Sequence, residues 1–323
     1  MLCSCTTLLK LLKIHWLDFI EFGMFLVLKK NWSTHRNPYK EVHIMERTEK
    51  PCAKKMPDIQ NEADTRSVPL QKVGVKGVKY PVQVLDKKNR AQHTTATVDL
   101  FVNLPHSFKG THMSRFIEIF HKYHTDVSLK HFFAMLQEIR EKLDSERSYG
   151  VMSFPYFVEK EAPVTKEKGM MCYSCTYEGS VGENFENFFI SVDVPIATLC
   201  PCSKAISEKG AHNQRGHVRI KLLYSSFFWI EDLIAAVEQC ASTALYSVLK
   251  RPDEKFVTEY AYDNPRFVED LVREVFLALR NFDIENPFSW FRIEAETEES
   301  IHNHNAYACT EFGECPVSQH QYP

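Results

Sequence analysis

The chain has 323 residues, of which 44% are hydrophobic and 25% are charged, as in ordinary globular proteins of one to three domains. A formal net charge of −3 argues against the basic surface typical of nucleic-acid-binding proteins, although it is compatible with a local basic pocket for a phosphorylated substrate. Ten cysteines spread over so long a chain lack the density of a disulfide-stabilised domain, so we expect free thiols in a reducing, cytoplasmic setting.

The first 65 residues are predicted to be an extended or disordered lead-in. Within it, residues 8–28 are apolar but interrupted by charges, which argues against a membrane-spanning helix and against a signal peptide, so we expect no membrane association. The segment is interpreted as an amphipathic surface helix, a targeting extension or translated upstream sequence. The last interpretation is favoured because Met45 and Met56 offer later starts.

Residues 66–180 are predicted to form a first module with the order strand, strand, helix, helix, strand, strand. Apolar residues at helical spacing indicate one helix starting near Met113 and a clearer one from Leu129 to Leu143. Alternating apolar residues indicate the strands, which are expected at residues 78–85, 94–104, 149–158 and 170–179.

Residues 181–323 are predicted to repeat this order in a second module. A long apolar stripe indicates a helix from Ile230 to Val248, and a second stripe indicates another from Val268 to Leu279. The strands of this module are expected at residues 189–199, 217–224, 291–296 and 305–312.

The predicted fold class is therefore α+β, with two ββααββ units whose antiparallel sheets each carry a helix pair on one face. A four-stranded sheet has two open edges, which favour unwanted pairing with other chains. Joining the sheets edge to edge, within the chain and then between chains, would remove those edges. We therefore expect an oligomer in which the sheets close into a barrel.

A thiol and an imidazole that flank a short polar loop are the leading metal-ligand candidates. Cys200 ends a strongly alternating strand, and His212 follows twelve residues later, so both could bind one divalent ion. Cys202 would share a face with Cys200 in extended backbone, and it is interpreted as a second ligand, a proton-transferring thiol or a spectator. Arg215 could bind a phosphate in bidentate fashion.

Two other polar segments carry candidate functional residues. Glu299 and His302 lie three residues apart beside a late strand, where they form either an acid/base pair or part of a solvated loop. The segment from Lys109 to Phe116 opens the first helix with Gly110 and several donors, which suits a phosphate, although simple capping by Thr111 is an equal alternative.

Several motifs together resemble type IB GTP cyclohydrolase I over residues 56–313. The resemblance implies a tandem tunnelling fold, a homotetramer, and hydrolysis of GTP to formate and 7,8-dihydroneopterin triphosphate, which leads to tetrahydrofolate. It also implies a divalent metal, namely zinc, manganese or iron. The motifs that carry it are Pro57-Asp58-Ile59-Gln60, Asp64-x-Arg66, Val73-Gly74-Val75, Lys109 to Phe116, Cys200-Pro201-Cys202-Ser203-Lys204, Ala211 to Gly216 and Glu299 to Ala306.

The resemblance also implies roles for single residues. Cys200, His212 and Glu254 resemble the metal ligands, and Glu269 resembles the carboxylate that binds the guanine edge. Cys202, Glu299 and His302 resemble catalytic neighbours of the reacting ring. Lys109, His112 and Arg115 resemble a substrate-binding segment, to which Arg215 could add a phosphate contact. The spacing around the two helical glutamates would not single them out.

Two alternatives are weighed against this activity. The nitrile reductase of queuosine synthesis shares the expected fold, but the Lys-rich recognition motif that it requires does not follow Cys200 to Lys204. A noncatalytic zinc-stabilised module would need four protein ligands, and the sequence offers no clear set of four.

Overall fold

The computed structural model describes residues 58, 60, 62, 64–106, 108–282 and 288–316. These residues form a mixed α+β fold with nine strands in one antiparallel sheet and six helices. The predicted lead-in over residues 1–65 lies almost entirely outside this part of the chain, and the proposed domain boundaries remain predictions. No helix within the described ranges is long and apolar enough to cross a membrane.

The first half of the fold has the predicted order of elements. Its strands and helices are β1 (Leu70–Asp86), β2 (Arg90–Leu104), α1 (Met113–Tyr123), α2 (Leu129–Lys142), β3 (Ser148–Glu161) and β4 (Lys168–Val181). The strands run two to eight residues beyond the predicted bounds at several ends because the backbone pairing continues past the alternating apolar core.

The second half departs from a plain copy of that order. Its elements are β5 (Glu186–Leu199), α3 (Pro201–Ile206), β6 (Asn213–Leu223), α4 (Ile230–Cys240), β7 (Thr243–Ala244), α5 (Arg251–Asp263), α6 (Val268–Arg280), β8 (Phe291–Thr297) and β9 (Ala306–Phe312). The short β7 and the extra helices are absent from the sequence prediction.

The prediction of one helix from Ile230 to Val248 is wrong, because α4 ends at Cys240. Beyond it the chain turns back to the sheet, and Ala244 pairs with Ile196 of β5. The carbonyl of Leu245 also accepts a hydrogen bond from the ammonium of Lys160 at 2.8 Å. Tertiary contacts therefore override a helical apolar pattern that continues past Ala241.

The strand order across the sheet is β1-β2-β3-β4-β5-β6-β8-β9. The two halves join where β4 pairs with β5, and this pairing stops at Ser174 and Asp193. Beyond that point β5 continues without β4, and the two residues of β7 pair with it instead. The last part of β5 is thus held by β6 on one side and by the helical layer on the other.

Because neighbouring strands are antiparallel, the sheet has two distinct ends. At the Leu104 end, β2 stops while β3 starts at Ser148 and β5 starts at Glu186. At the Leu199 end, β5 stops, β6 starts at Asn213 and β8 stops at Thr297. The helices cover one face of the sheet, where alternate strand residues form the core, and the other face is largely polar.

Candidate functional site

Cys200 and His212 meet at the Leu199 end of the sheet. The last paired residues of β5 and β6 are Leu199 and Asn213, and one residue further the Cys200 N–H donates to the His212 carbonyl at 3.1 Å. Strand β6 starts at Asn213 and not near His217 as predicted, since residues 213–216 still pair with β5. His212 therefore directly precedes a strand and is held opposite Cys200.

The loop between the two residues is closed by side-chain hydrogen bonds. Cys200 is the N-cap residue of α3, and Pro201 occupies the first helical position, where its missing N–H costs nothing. The Ser203 hydroxyl donates to the Cys200 carbonyl at 3.2 Å and accepts from the His212 N–H at 3.2 Å. The half-buried Cys200 thiol makes no capping hydrogen bond to α3.

The imidazole of His212 is held by a buried amide. Its Nδ1 lies 2.9 Å from Oε1 of Gln214, and Nε2 of Gln214 donates to Oγ1 of Thr198 at 2.9 Å. His212 and Gln214 are two residues apart and share the face of the sheet that the helices cover. The ring is therefore held by hydrogen bonding to Gln214, which is itself bonded to the buried Thr198.

The expected acid/base residues follow β8, the neighbour of β6. Gly216 pairs with Thr297, whose hydroxyl donates to Oε1 of Glu299 at 2.8 Å. Glu299 therefore lies near the start of β6. His302 is exposed, and its ring stacks on that of His304 with centroids 5.1 Å apart. The backbone N–H of His302 donates to the Glu299 carbonyl at 3.4 Å.

The linker between α5 and α6 also reaches the Leu199 end. The Arg266 N–H donates to the Leu199 carbonyl at 3.0 Å, and Glu269 follows in the first turn of α6, where it is exposed. The ammonium of Lys204 in α3 lies 4.3 Å from the ring centroid of Tyr262 near the end of α5. Helix α6 thus begins beside the residue that precedes Cys200.

Glu254 is exposed in the first turn of α5, eight residues before Tyr262, or about 12 Å along the helix axis. Within the described part of this single chain, no three His, Cys, Asp or Glu side chains form a group that could hold a metal ion. The structure therefore brings Cys200 and His212 together but does not add Glu254 to them.

The start of α5 is anchored by Asp253, the neighbour of Glu254. Its carboxylate accepts hydrogen bonds from the backbone of Val164, Thr165 and Lys250 at 2.8–2.9 Å and from the Thr165 hydroxyl at 2.6 Å. Burial alone would raise the pKa of Asp253, but these four donors outweigh it and hold that pKa well below its usual range. The β3–β4 loop is thereby tied to α5.

The candidate substrate-binding segment of the first half lies at the other end of the sheet. Lys109 pairs with Glu62 at 2.7 Å, and Nε2 of His112 lies 3.4 Å from Asp58. Arg115 donates to the Lys142 carbonyl at 3.2 Å, which caps the end of α2. Strand β5, with its 14 residues, separates the two ends by roughly 45 Å at about 3.3 Å per residue.

Arg215 lies at the Leu199 end but on the other face of the sheet. It alternates with Gln214 along β6, it is exposed, and its carbonyl accepts from the Glu298 N–H at 2.9 Å. The same face carries an ion-pair network in which Arg219 bonds Glu296 at 3.2 Å. Hydrogen bonds from Asn305 and Arg219 hold the pKa of Glu296 below its usual range.

The family model for type I GTP cyclohydrolase folE2 matches residues 56–308. The curated GTP cyclohydrolase FolE2 of Geobacter metallireducens is 50% identical over 256 residues, which cover 79% of this chain and 97% of the relative. The FolE2 of Syntrophobacter fumaroxidans is 51% identical over 257 residues, which cover 79% of this chain and 99% of the relative.

This chain belongs to the FolE2 family of type I GTP cyclohydrolases. The predicted enzyme class, a GTP cyclohydrolase of folate biosynthesis, is thereby confirmed. Membership decides against the nitrile reductase and the noncatalytic zinc module. Among solved structures, the uricase of Arthrobacter globiformis aligns with a TM-score of 0.44 at 7% identity, over 77% of this chain and 95% of the uricase.

Sequence reasoning missed the residues that support the site in this FolE2 chain. Thr198 and Gln214 bond to each other, and Ser242 accepts the Leu199 N–H at 3.0 Å. All three are buried polar residues at core-facing positions. The signal that could have found two of them is a polar residue on the apolar face of an alternating strand, which interrupts an otherwise hydrophobic row.

Proposed function

We propose that this protein hydrolyses GTP to formate and 7,8-dihydroneopterin triphosphate at the Leu199 end of its sheet, around a divalent metal ion bound by Cys200 and His212. The observation that carries the proposal is the 3.1 Å hydrogen bond from the Cys200 N–H to the His212 carbonyl, which holds a thiol and an imidazole on adjacent backbone. Family membership supports the reaction class, and the contact between Cys200 and His212 supports the proposed location.

The donor set fits a catalytic metal. The bond between Nδ1 of His212 and Gln214 leaves Nε2 as the ligand atom, and the half-buried Cys200 thiol makes no capping hydrogen bond. Glu254 is proposed as the carboxylate that completes the three protein ligands usual in catalytic zinc sites. Sulfur and nitrogen donors suit zinc or iron better than manganese, which prefers oxygen. The bound ion would lower the pKa of water from about 15.7 towards 7, giving a hydroxide for attack on C8 of guanine.

Three side chains at the Leu199 end of the sheet are proposed to move protons. Cys202 is exposed in the first turn of α3, two residues after Cys200. Glu299 accepts a hydrogen bond from Thr297, which directs its carboxylate towards the start of β6. His302 follows in the same turn. Protonation of the guanine imidazole nitrogens makes C8 a better electrophile, so these groups act as general acids and bases during addition and ring opening.

Glu269 is proposed to select guanine. A carboxylate accepts hydrogen bonds from both the N1–H and the 2-amino group of guanine, whereas adenine lacks this pair of donors. Once the bound base covers the carboxylate, an acceptor left without a donor costs about 1–3 kcal/mol, so the contact discriminates against ATP. The start of α6 beside Leu199 is consistent with this role, because it brings Glu269 to the same end of the sheet as Cys200.

Lys109, His112, Arg115 and Arg215 are proposed to bind the triphosphate, and the first three of them require a second copy of the chain. Lys109, His112 and Arg115 belong to the Leu104 end, roughly 45 Å from Cys200 along β5. GTP is far too short to bridge that distance. A site that uses both groups must combine the Leu199 end of one subunit with the Leu104 end of another.

The proposed assembly is a homotetramer of tandem tunnelling modules. Both halves begin and end with two strands that flank helices, and the two halves share one sheet through β4 and β5. Strands β1 and β9 stand at the edges of that sheet. Pairing of these edges between copies would close a barrel and satisfy their backbone groups.

The decisive experiment incubates the full chain with GTP and Zn²⁺ and measures formate together with pterin fluorescence after oxidation. Cys200→Ala and His212→Ala are expected to abolish both signals. Cys172→Ala, which removes an exposed thiol on β4, serves as the matched control and should retain full activity. Turnover by Cys200→Ala at the wild-type rate would refute the ligand role.

A further inference from the structure

Two buried polar side chains stand next to each other below the proposed metal site. Thr198 and Gln214 are 1% and 9% exposed, and they are paired residues on β5 and β6. The next core-facing positions towards the middle of the sheet are Ile196 and Gly216, followed by Val194 and Val218. A buried amide without partners costs about 1–3 kcal/mol, so its hydrogen bonds constrain its orientation strongly.

The two bonds of Gln214 assign its oxygen and nitrogen atoms to different neighbours. Nε2 donates to Oγ1 of Thr198 at 2.9 Å, and Oε1 faces Nδ1 of His212 at 2.9 Å. An amide oxygen can only accept a hydrogen bond. With the amide in this orientation, the hydrogen between the two side chains belongs to Nδ1 of His212.

We propose that Gln214, anchored by Thr198, is a positioning residue that keeps the proton of His212 on Nδ1 and so presents Nε2 to the metal ion. A neutral imidazole carries one proton on one of its two nitrogens, and only the other nitrogen can bind a metal. This inference deepens the proposed function, because it rests on His212 being a ligand.

In the metal-free protein, the contact with Gln214 limits the orientations and tautomers of the His212 ring. Without a partner, the imidazole would rotate and sample both tautomers, and part of the population could not bind a metal in this geometry. Residues that orient a ligand histidine in this way typically contribute 10–100-fold to metal affinity or activity. We expect a loss of that size when the Gln214 amide is replaced by an apolar side chain.

The tautomer is tested first, on the metal-free full chain. A neutron structure of the deuterated protein locates the deuterium on the His212 ring. Deuterium on Nδ1, directed at Gln214, is the expected result. Deuterium on Nε2 would mean that the amide is turned the other way and would overturn the proposal, whether or not the protein binds metal.

The second test compares Co²⁺ affinity, read from the visible absorption of the bound ion, in a set of variants. Gln214→Leu is expected to bind Co²⁺ 10–100-fold more weakly, and Gln214→Glu, which still offers an oxygen to Nδ1, should restore most of the affinity. Gln92→Leu removes a hydrogen-bonded amide from the first half and serves as the matched control. Equal affinities of Gln214→Leu and Gln214→Glu would contradict a positioning role.

The two proposals fail in different ways. If His212→Ala binds Co²⁺ as tightly as the wild type, His212 is not a ligand and the proposed metal site is wrong. If His212→Ala loses binding while Gln214→Leu keeps it, the site stands and Gln214 only packs the sheet. Thr198→Val provides an independent variant, and it should weaken Co²⁺ binding in the same direction because Gln214 loses its anchor.

Discussion

Replacing Ser242 with alanine removes a support of the proposed metal site without changing a proposed ligand. Ser242 follows α4 and is fully buried, and its hydroxyl accepts the Leu199 N–H at 3.0 Å. Leu199 is itself 4% exposed and directly precedes Cys200. Alanine fills nearly the same space, so the change removes one hydrogen bond and little packing.

The expected loss is set by the donor that remains. In Ser242→Ala the Leu199 N–H stays buried without a partner, which costs about 1–3 kcal/mol. A domain of this size shifts its melting temperature by roughly 2–4 °C per kcal/mol, so we expect a decrease of about 2–12 °C. The cost exceeds that of an ordinary exposed hydroxyl because no water replaces the lost acceptor.

Thermal unfolding and urea unfolding of the full chain measure this loss. Ser247→Ala, five residues later, is the matched control: the serine is exposed and forms no hydrogen bond with another described residue, so its replacement should change stability by less than about 0.5 kcal/mol. If both variants melted at the wild-type temperature, the bond would not support the end of β5 and the reasoning would be wrong.

Three further predictions concern pH, substrate selection and assembly. The pKa of Asp253 is depressed in the folded state, so the ionised carboxylate stabilises the fold above about pH 4 and this stabilisation is lost as the pH falls. The difference in melting temperature between wild type and Asp253→Asn should therefore narrow from pH 7 to pH 3. A constant difference would contradict this prediction. Glu269→Gln should lower kcat/KM for GTP roughly ten- to hundredfold, measured by formate release, and an unchanged value would exclude the guanine contact. Lys109→Ala and His212→Ala are each expected to be inactive alone. Refolded together from the unfolded state, they should regain part of the activity, since some sites then combine intact ends; no recovery in verified mixed oligomers would argue against a shared site.

Local sequence patterns were sufficient to predict most strands and the position of the Cys200–His212 pair. Strand β5 and strand β6 alternate apolar and polar residues, and a short loop between two such strands makes an antiparallel hairpin the simplest arrangement. The ends of a hairpin lie side by side, so a cysteine at the end of one strand and a histidine just before the next must meet.

Long-range pairing decided what the sequence could not predict. The apolar stripe after Cys240 reads as helix, yet Thr243 and Ala244 fill the gap that β4 leaves beside β5. The separation of Lys109 from His212 follows only from the order and direction of the strands. Neither fact has a local signature, because each depends on which distant segment lies next to which.

The end of β5 shows how the fold holds Cys200, a proposed metal ligand, in place. On one side, the Cys200 N–H bonds to His212 at the start of β6. On the other side, where β4 has already diverged, the Leu199 N–H bonds to Ser242 and its carbonyl accepts the Arg266 N–H. Backbone that would be an open sheet edge is therefore bonded to the same helical layer that carries Glu269. Cys200 is bonded to His212, its neighbour Leu199 is bonded to Ser242, and the segment that leads into the helix bearing the proposed guanine contact is bonded to the same strand. Hydrogen bonds on both sides of the strand end support the fixed geometry that the proposed metal and substrate contacts require.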